Sequence, residues 1–145
     1  MRSQWVEWKD RVQIGLPIAD HEVPDLCEAV GWERRDGDYP ATFRDCLFWA
    51  GCRDASGRLI GYVCITGPGL PQQHGYLENT LVHPAYQRRG LGTALVQRAL
   101  EEAERYGLNL VTTTFAEEHI GFYQGCGFEL CPGGEWRPKP NSGRP

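Results

Sequence analysis

Leu81-Val82-His83-Pro84-Ala85-Tyr86-Gln87-Arg88-Arg89-Gly90-Leu91-Gly92-Thr93, continuing as Ala94-Leu95-Val96-Gln97-Arg98-Ala99-Leu100, decides the fold. A strand ends at Val82, and Pro84 breaks it because proline cannot donate to a ladder. Beyond the glycines, Leu91, Leu95, Val96, Ala99, Leu100 and Ala103 recur at helical spacing. Gln97, Arg98, Glu101, Glu102 and Arg105 take the other face. The pattern predicts a helix over Leu91–Tyr106, stopped by Gly107. Residues 87–93 therefore sit at a strand-to-helix junction. A helix N-terminus exposes unpaired N–H groups and the positive end of the helix dipole. Gly90 and Gly92 let the backbone close around an anion, and Arg88 and Arg89 add charge. The arrangement suits a pyrophosphate. A dinucleotide fingerprint would need glycine or alanine where Leu95 stands, and a P-loop would need Gly-Lys-Ser/Thr, which is absent. Two glycines alone mean only a tight turn. Here the strand exit, the glutamine, the two arginines and the long helix coincide.

Working outward, Tyr76–Val82 reads as the preceding strand, with a bulge near Asn79 and Thr80 where alternation fails. Leu108–Phe115 reads as the following strand, Glu117–Gln124 as a short helix, Gly125–Gly127 as a turn, and Phe128–Cys131 as the start of a last strand. Towards the N-terminus, Leu47–Arg53 and Arg58–Thr66 flank the turn Asp54–Gly57 and predict a hairpin. Gly67–His74 reads as a loop. Val12–Leu16 is a candidate first strand. A helix capped by Asp20 carries Pro24 in its first turn and stops near Gly31. Pro40 opens a second short helix, and residues 1–11 read as a polar lead-in. Residues 1–137 form a single domain on this reading. The tail 138–145 lacks apolar residues to bury and is expected to be disordered. Strand–helix–strand alternation from Tyr76 onward implies α/β architecture.

The 145 residues bound the chain to about one domain, with an apolar fraction of 41% and a charged fraction of 23%. A net charge of −4 argues against a nucleic-acid surface. No stretch approaches the ~20 apolar residues that span a bilayer. The first eleven residues lack an apolar run with a small-residue cleavage site, so a cytoplasmic protein without membrane contact is expected. The six cysteines (Cys27, Cys46, Cys52, Cys64, Cys126 and Cys131) include no C-x-x-C pair, and no histidine pair has metal-ligand spacing. They are read as reduced and structural, without a metal.

The junction resembles the GNAT acetyltransferase superfamily. Its Gln/Arg-x-x-Gly-x-Gly/Ala motif is matched by Gln87, Gly90 and Gly92, and Val82-His83-Pro84 is similar to its strand exit. Downstream, Phe122-Tyr123-Gln124-Gly125-Cys126-Gly127-Phe128 resembles the family's Phe-Tyr-x-x-x-Gly-Phe. Residues 25–61 are similar to the bacterial and plastid serotonin-acetyltransferase-like subgroup at Val30-Gly31-Trp32 and Gly57–Gly61. The resemblance implies an α/β fold with a mixed sheet of six to seven strands, splayed in the middle and flanked by about four helices. It also implies acetyl-CoA as co-substrate, held by Leu81, Val82, Gln87, Arg88, Arg89, Gly90, Leu91, Gly92, Thr93 and His119.

Acetyl transfer from a thioester to an amine requires a neutral amine, a donor for the developing oxyanion, and a proton for the leaving thiolate. The resemblance implies that the bulge near Thr80 points the Leu81 N–H at the thioester oxygen. It makes Tyr123 the general acid, although on its own Tyr123 would read as an aromatic packed with Phe122. Glu78 is the candidate general base, or else an exposed strand residue. Trp32, Tyr39 and Phe43 are candidates to stack on the acceptor, and core packing is the expected role for at least one of them. His119 and Ala116 depart from the family pattern, which often has a small residue and an asparagine there. The implied function is N-acetylation of a small-molecule or protein amine by a monomer or homodimer. The alternative is a non-catalytic acyl-CoA-binding or sensing module.

Overall fold

The computed structural model describes residues 4–140, apart from the side chains of residues 4–6, 40, 41 and 43. Ten regular elements follow in order: α1 (Gln4–Lys9), β1 (Gln13–Ile14), α2 (Glu22–Ala29), α3 (Asp38–Asp45), β2 (Phe48–Arg53), β3 (Leu59–Gly69), β4 (His74–Val82), α4 (Leu91–Tyr106), β5 (Leu110–Thr112) and α5 (Ile120–Gly125). Two 3₁₀ turns, Pro84–Tyr86 and Glu117–His119, precede α4 and α5. The strands form one mixed sheet in the order β1-β2-β3-β4-β5. Its first three pairings are antiparallel and β4–β5 is parallel.

α4 keeps the bounds that its periodicity predicts. It runs between Gly90 and Gly107, both in left-handed conformations (φ 88° and 100°). Its apolar stripe packs on one face of the sheet with Ala50, Ile60, Val63, Ile65 and Leu77. The other face is covered by α2 and α3, which bury Val23, Leu26 and Tyr39 against Tyr62, Cys64 and Leu81. Close approach favours small residues at several sheet positions, two of them under α4 and beside β5. A Cβ at Gly61 would lie 2.9 Å from Leu95, and one at Gly75 would lie 2.7 Å from Ile65 and 2.8 Å from Leu108.

Several expectations need correction. The described residues hold five strands rather than six to seven. Residues 128–140 form no strand, because Phe128–Cys131 is cut short by Pro132-Gly133-Gly134. β5 covers three residues rather than Leu108–Phe115, and β1 covers two rather than Val12–Leu16. β3 runs on to Gly69, so the expected loop Gly67–His74 shrinks to a hairpin turn. The polar lead-in contains α1, whose Trp8 packs edge-on against Tyr86 and whose Lys9 pairs with Glu101 on α4. Such a short helix has little intrinsic stability and depends on this packing. Of the expected tail, residues 138–140 have no regular structure and residues 141–145 lie outside the described residues. Among the described residues no helix is long and apolar enough to cross a membrane.

Candidate active site in the splay between two parallel strands

β4 and β5 pair only at His74↔Leu110, Gly75↔Val111 and Tyr76↔Thr112. Beyond Thr112 the chain leaves the ladder, held by side-chain bonds: Thr113 Oγ1 donates to the Leu77 carbonyl at 2.9 Å, and the Tyr76 and Thr114 hydroxyls meet. β4 continues alone to Val82. The separation opens a cavity of about 1070 Å³. Its walls include Trp32, Glu78, Thr80, Val82, Gln87, Arg88, Gly90, Gly92, Thr93, Ala116, His119 and Tyr123.

The bulge is where the sequence pattern puts it. Cys64 pairs with Glu78 and Tyr62 with Leu81, so β4 spends three steps where β3 spends two, and Asn79 adopts φ 58°. This fixes which peptide groups face the cavity. His83 N–H donates to the Ile60 carbonyl at 2.8 Å, so the same ladder places Tyr62 and Leu81 as a hydrogen-bonded pair. The Leu81 N–H therefore points at β3, which corrects the expectation that it faces the thioester. The Val82 carbonyl instead accepts from Gln87 Nε2 at 3.0 Å, on the open side of the strand. By alternation the Val82 and Thr80 N–H groups face the cavity. The Leu81 side chain is buried at 1% exposure beneath α2.

At one end of the cavity lies the turn before α4. Arg88 takes φ 63° and Gly90 φ 88°, after which Ala94 N–H makes the first helical bond to the Gly90 carbonyl. The N–H groups of Leu91, Gly92 and Thr93 lie in the first helical turn, which offers them no intrahelical partner. The Leu91 side chain is itself core, at 1% exposure, so Leu91 can contribute only its backbone. The two arginines differ. Arg88 lines the cavity, whereas the Arg89 guanidinium lies over the Tyr86 ring, 5.5 Å from its centroid.

Tyr123 and Glu78 approach the splay from opposite faces of the sheet. Tyr123, on α5, stacks on Phe115 (4.6 Å between centroids, 16° between planes) and meets Phe122 and Phe128 edge-on. Its hydroxyl donates to Thr80 Oγ1 at 3.4 Å. Burial raises its pKa, opposed by the Thr80 bond, so it stays protonated through neutral pH. Glu78 shares the face of its ladder partner Cys64. It is half-buried, and desolvation raises its pKa above the ordinary carboxylate value. His119 lines the cavity, largely exposed, with Nε2 3.6 Å from Glu118 Oε1.

The acceptor candidates separate. Trp32 is 50% exposed on the cavity wall. Tyr39 is corrected: it sits at a kink in α3 (φ −112°, ψ 42°), and its ring is in the core. There it meets Tyr62 edge-on at 6.3 Å with 6% exposure, leaving no face for a ligand. The Phe43 side chain lies outside the described residues. Arg34 is held by Asp25 and Asp36, and Arg35 by Asp38, so neither charge points into the cavity. Thr80 and Phe115 are site residues that the sequence reading missed. Only the combination of bulge and splay reveals them.

The sequence profile of the acetyltransferase (GNAT) family matches residues 17–128. The chain belongs to this family. Similar family members include the histone acetyltransferase TAP1 of Glycine max, 27% identical over 134 residues, covering 83% of this chain and 56% of that protein. An uncharacterized ycf52-like N-acetyltransferase of Prochlorococcus marinus is 30% identical over 117 residues, covering 78% of this chain and 64% of that one. The latter fits the bacterial and plastid subgroup expected from residues 25–61. The chain thus spans little more than half the length of the curated relatives it matches. Among solved structures, the Escherichia coli GNAT family N-acetyltransferase YhbS in complex with CoA superposes with a TM-score of 0.69 at 22% identity. That match covers 82% of this chain and 68% of that one, and it shows the shared family fold.

Proposed function

We propose that this GNAT domain is an acetyl-CoA-dependent N-acetyltransferase acting on a primary amine by direct attack on the thioester. One observation carries the reading: a single cavity joins the N-terminus of α4 to the Tyr123 hydroxyl and the Glu78 carboxyl. The free N–H groups of Leu91, Gly92 and Thr93, with the Arg88 charge and Gln87, suit the diphosphate of coenzyme A. The open edge of β4 at Thr80 and Val82 suits the amides of a pantetheine arm, with one of these N–H groups as the oxyanion donor in place of Leu81.

In the proposed reaction the amine nitrogen forms the new N–C bond as the C–S bond breaks. The amine proton passes to Glu78, directly or through water. The Tyr123 hydroxyl gives its proton to the departing thiolate and recovers one from solvent. The acceptor stacks beside Trp32, and Arg34 and Arg35, being paired, do not repel a cationic amine. Small-molecule amines and protein amines both remain within the proposal, the latter because one relative is named a histone acetyltransferase.

The test is calorimetric titration with acetyl-CoA, NAD and ATP, followed by mass-spectrometric screening of amines for a gain of one acetyl group. Saturable binding of acetyl-CoA alone, with one or more amines acetylated, is expected. Binding without transfer to small amines, histone peptides or protein N-termini would favour the acyl-CoA-binding module instead. No binding would end the reading.

A further inference from the structure

Resting on that reading, we propose that Trp8 of α1 is a positioning residue for the diphosphate turn: its indole N–H, donated to the Arg89 carbonyl, holds residues 87–92 in their anion-binding shape. The bond measures 3.0 Å and joins residues 81 positions apart in the chain.

The turn needs such a holder. Two of its residues, Arg88 and Gly90, lie in the left-handed region, which is sterically unfavourable for a residue with a Cβ. Gly90 carries no such penalty, but its freedom lets the unliganded turn relax to other shapes. A hydrogen bond to the Arg89 carbonyl fixes the Arg89–Gly90 peptide plane, from which the Gly90 φ is set, one residue after Arg88. Trp8 is braced for this task from several sides. The Arg11 guanidinium lies over its ring at 4.6 Å, and Tyr86 meets it edge-on at 6.1 Å and 82°. The Tyr86 hydroxyl is tied to Asp54 Oδ2 at 3.1 Å, and Lys9 anchors α1 to Glu101. The Arg89 guanidinium lies over the Tyr86 ring. Neither Trp8 nor Tyr86 lines the cavity, so neither touches a ligand there. Their effect on binding passes through the turn.

The experiment uses Trp8→Phe, which keeps a six-membered ring against Tyr86 and removes the donor together with the pyrrole part of the indole. Acetyl-CoA binding is measured by calorimetry. S-acetylpantetheine, which has the thioester and arm without the diphosphate, is titrated by NMR. Amide hydrogen exchange is followed at Gln87 and Ala94, whose bonded N–H groups flank the turn, and, as a control for the fold, in β2 and β3. The expected result is acetyl-CoA binding about fivefold weaker, the effect of one neutral hydrogen bond. S-acetylpantetheine affinity stays unchanged, and exchange accelerates in the turn alone. Equal weakening of both ligands, or faster exchange throughout β2 and β3, would make Trp8 an ordinary structural residue and overturn the proposal. Unchanged acetyl-CoA affinity with unchanged turn exchange would overturn it as well. Should the wild-type protein bind no acetyl-CoA, the functional reading fails by itself, and the exchange comparison still decides whether Trp8 holds the turn.

Discussion

Replacing Tyr123 by Phe removes one oxygen from a ring whose position is fixed by other contacts. Phe115 stacks on it at 4.6 Å, while Phe122 and Phe128 pack against its edges. The hydroxyl makes a long bond of 3.4 Å to Thr80. A net hydrogen bond contributes about 1 kcal/mol at normal length, so this one contributes less. For a domain of this size 1 kcal/mol corresponds to about 2–4 °C in Tm, so the variant should melt within about 3 °C of wild type. The chemistry should suffer far more. A positioned general acid accounts for roughly 10²–10⁴ in rate. With an acceptor from the amine screen, kcat should fall about a hundredfold or more, while the acetyl-CoA dissociation constant stays within about twofold. Product should be followed by mass spectrometry rather than by a thiol dye, because the exposed Cys131 would consume dye. A Tyr123→Phe enzyme with kcat within about threefold of wild type would refute the acid assignment. A fall in Tm of 10 °C would show instead that the hydroxyl is structural.

Glu78→Gln should lower kcat/KM and abolish its acid limb, which in wild type should lie above the ordinary glutamate pKa because burial raises it. The fold binds this proton more tightly than the unfolded chain, so its contribution to stability is present at low pH and lost as pH rises through the raised value. Glu78→Gln should therefore melt no lower than wild type at neutral pH by calorimetry, and a clear loss of stability would contradict the burial argument. Arg88→Ala should weaken acetyl-CoA binding several-fold and Arg89→Ala much less, since only Arg88 lines the cavity; equal losses by calorimetry would show that both charges reach the ligand. Gly75→Ala drives a methyl to 2.7 Å from Ile65 and 2.8 Å from Leu108, an overpacking that should cost about 1–3 kcal/mol in urea unfolding. An unchanged midpoint would mean that the β4–β5 junction yields.

The legible parts of the fold were those with strong local signals. α4 shows its amphipathic period over sixteen residues between two glycines, and the hairpin at Asp54–Gly57 is set by turn chemistry. Elements whose existence depends on distant partners were not legible. α1 forms because Trp8 and Lys9 find Tyr86, Arg89 and Glu101 far along the chain, and nothing in Gln4–Lys9 announces those contacts. Phe128–Cys131 has strand-like residues, yet proline and two glycines follow at once. At the site, the turn and Tyr123 were marked by motifs. The direction of the Leu81 N–H was not, because a bulge of one residue reverses which peptide groups face which neighbour. Tyr39 could not be told from Trp32 by residue type, since what buries it is an edge-on contact with Tyr62, a residue distant in the chain.

The bulge and the splay solve one geometric problem together. In an unbroken sheet, groups on opposite faces are separated by a layer of hydrogen-bonded backbone. Glu78 stands on the face covered by α2 and α3, and Tyr123 comes from the face covered by α4 and α5. They can act on the same atoms only where the sheet has a gap, and pairing between β4 and β5 stops at Thr112, two residues before the level of Glu78. By absorbing Asn79, the bulge lets one strand carry the proposed base on one face and the hydrogen-bond partner of the proposed acid on the other. Glu78 stays in register with Cys64, while Thr80 turns its hydroxyl to Tyr123 on the other face. Asn79→Val, whose β-branched side chain resists the φ of 58° that the bulge needs, should favour regular alternation, which moves Thr80 to the face of Glu78 and breaks its contact with Tyr123. Such a variant should keep the phosphate turn, and with it measurable acetyl-CoA binding, but lose transfer. If Asn79→Val left kcat intact, the two faces would not need the bulge to meet, and the assignment of acid and base to opposite sides of the sheet would be wrong.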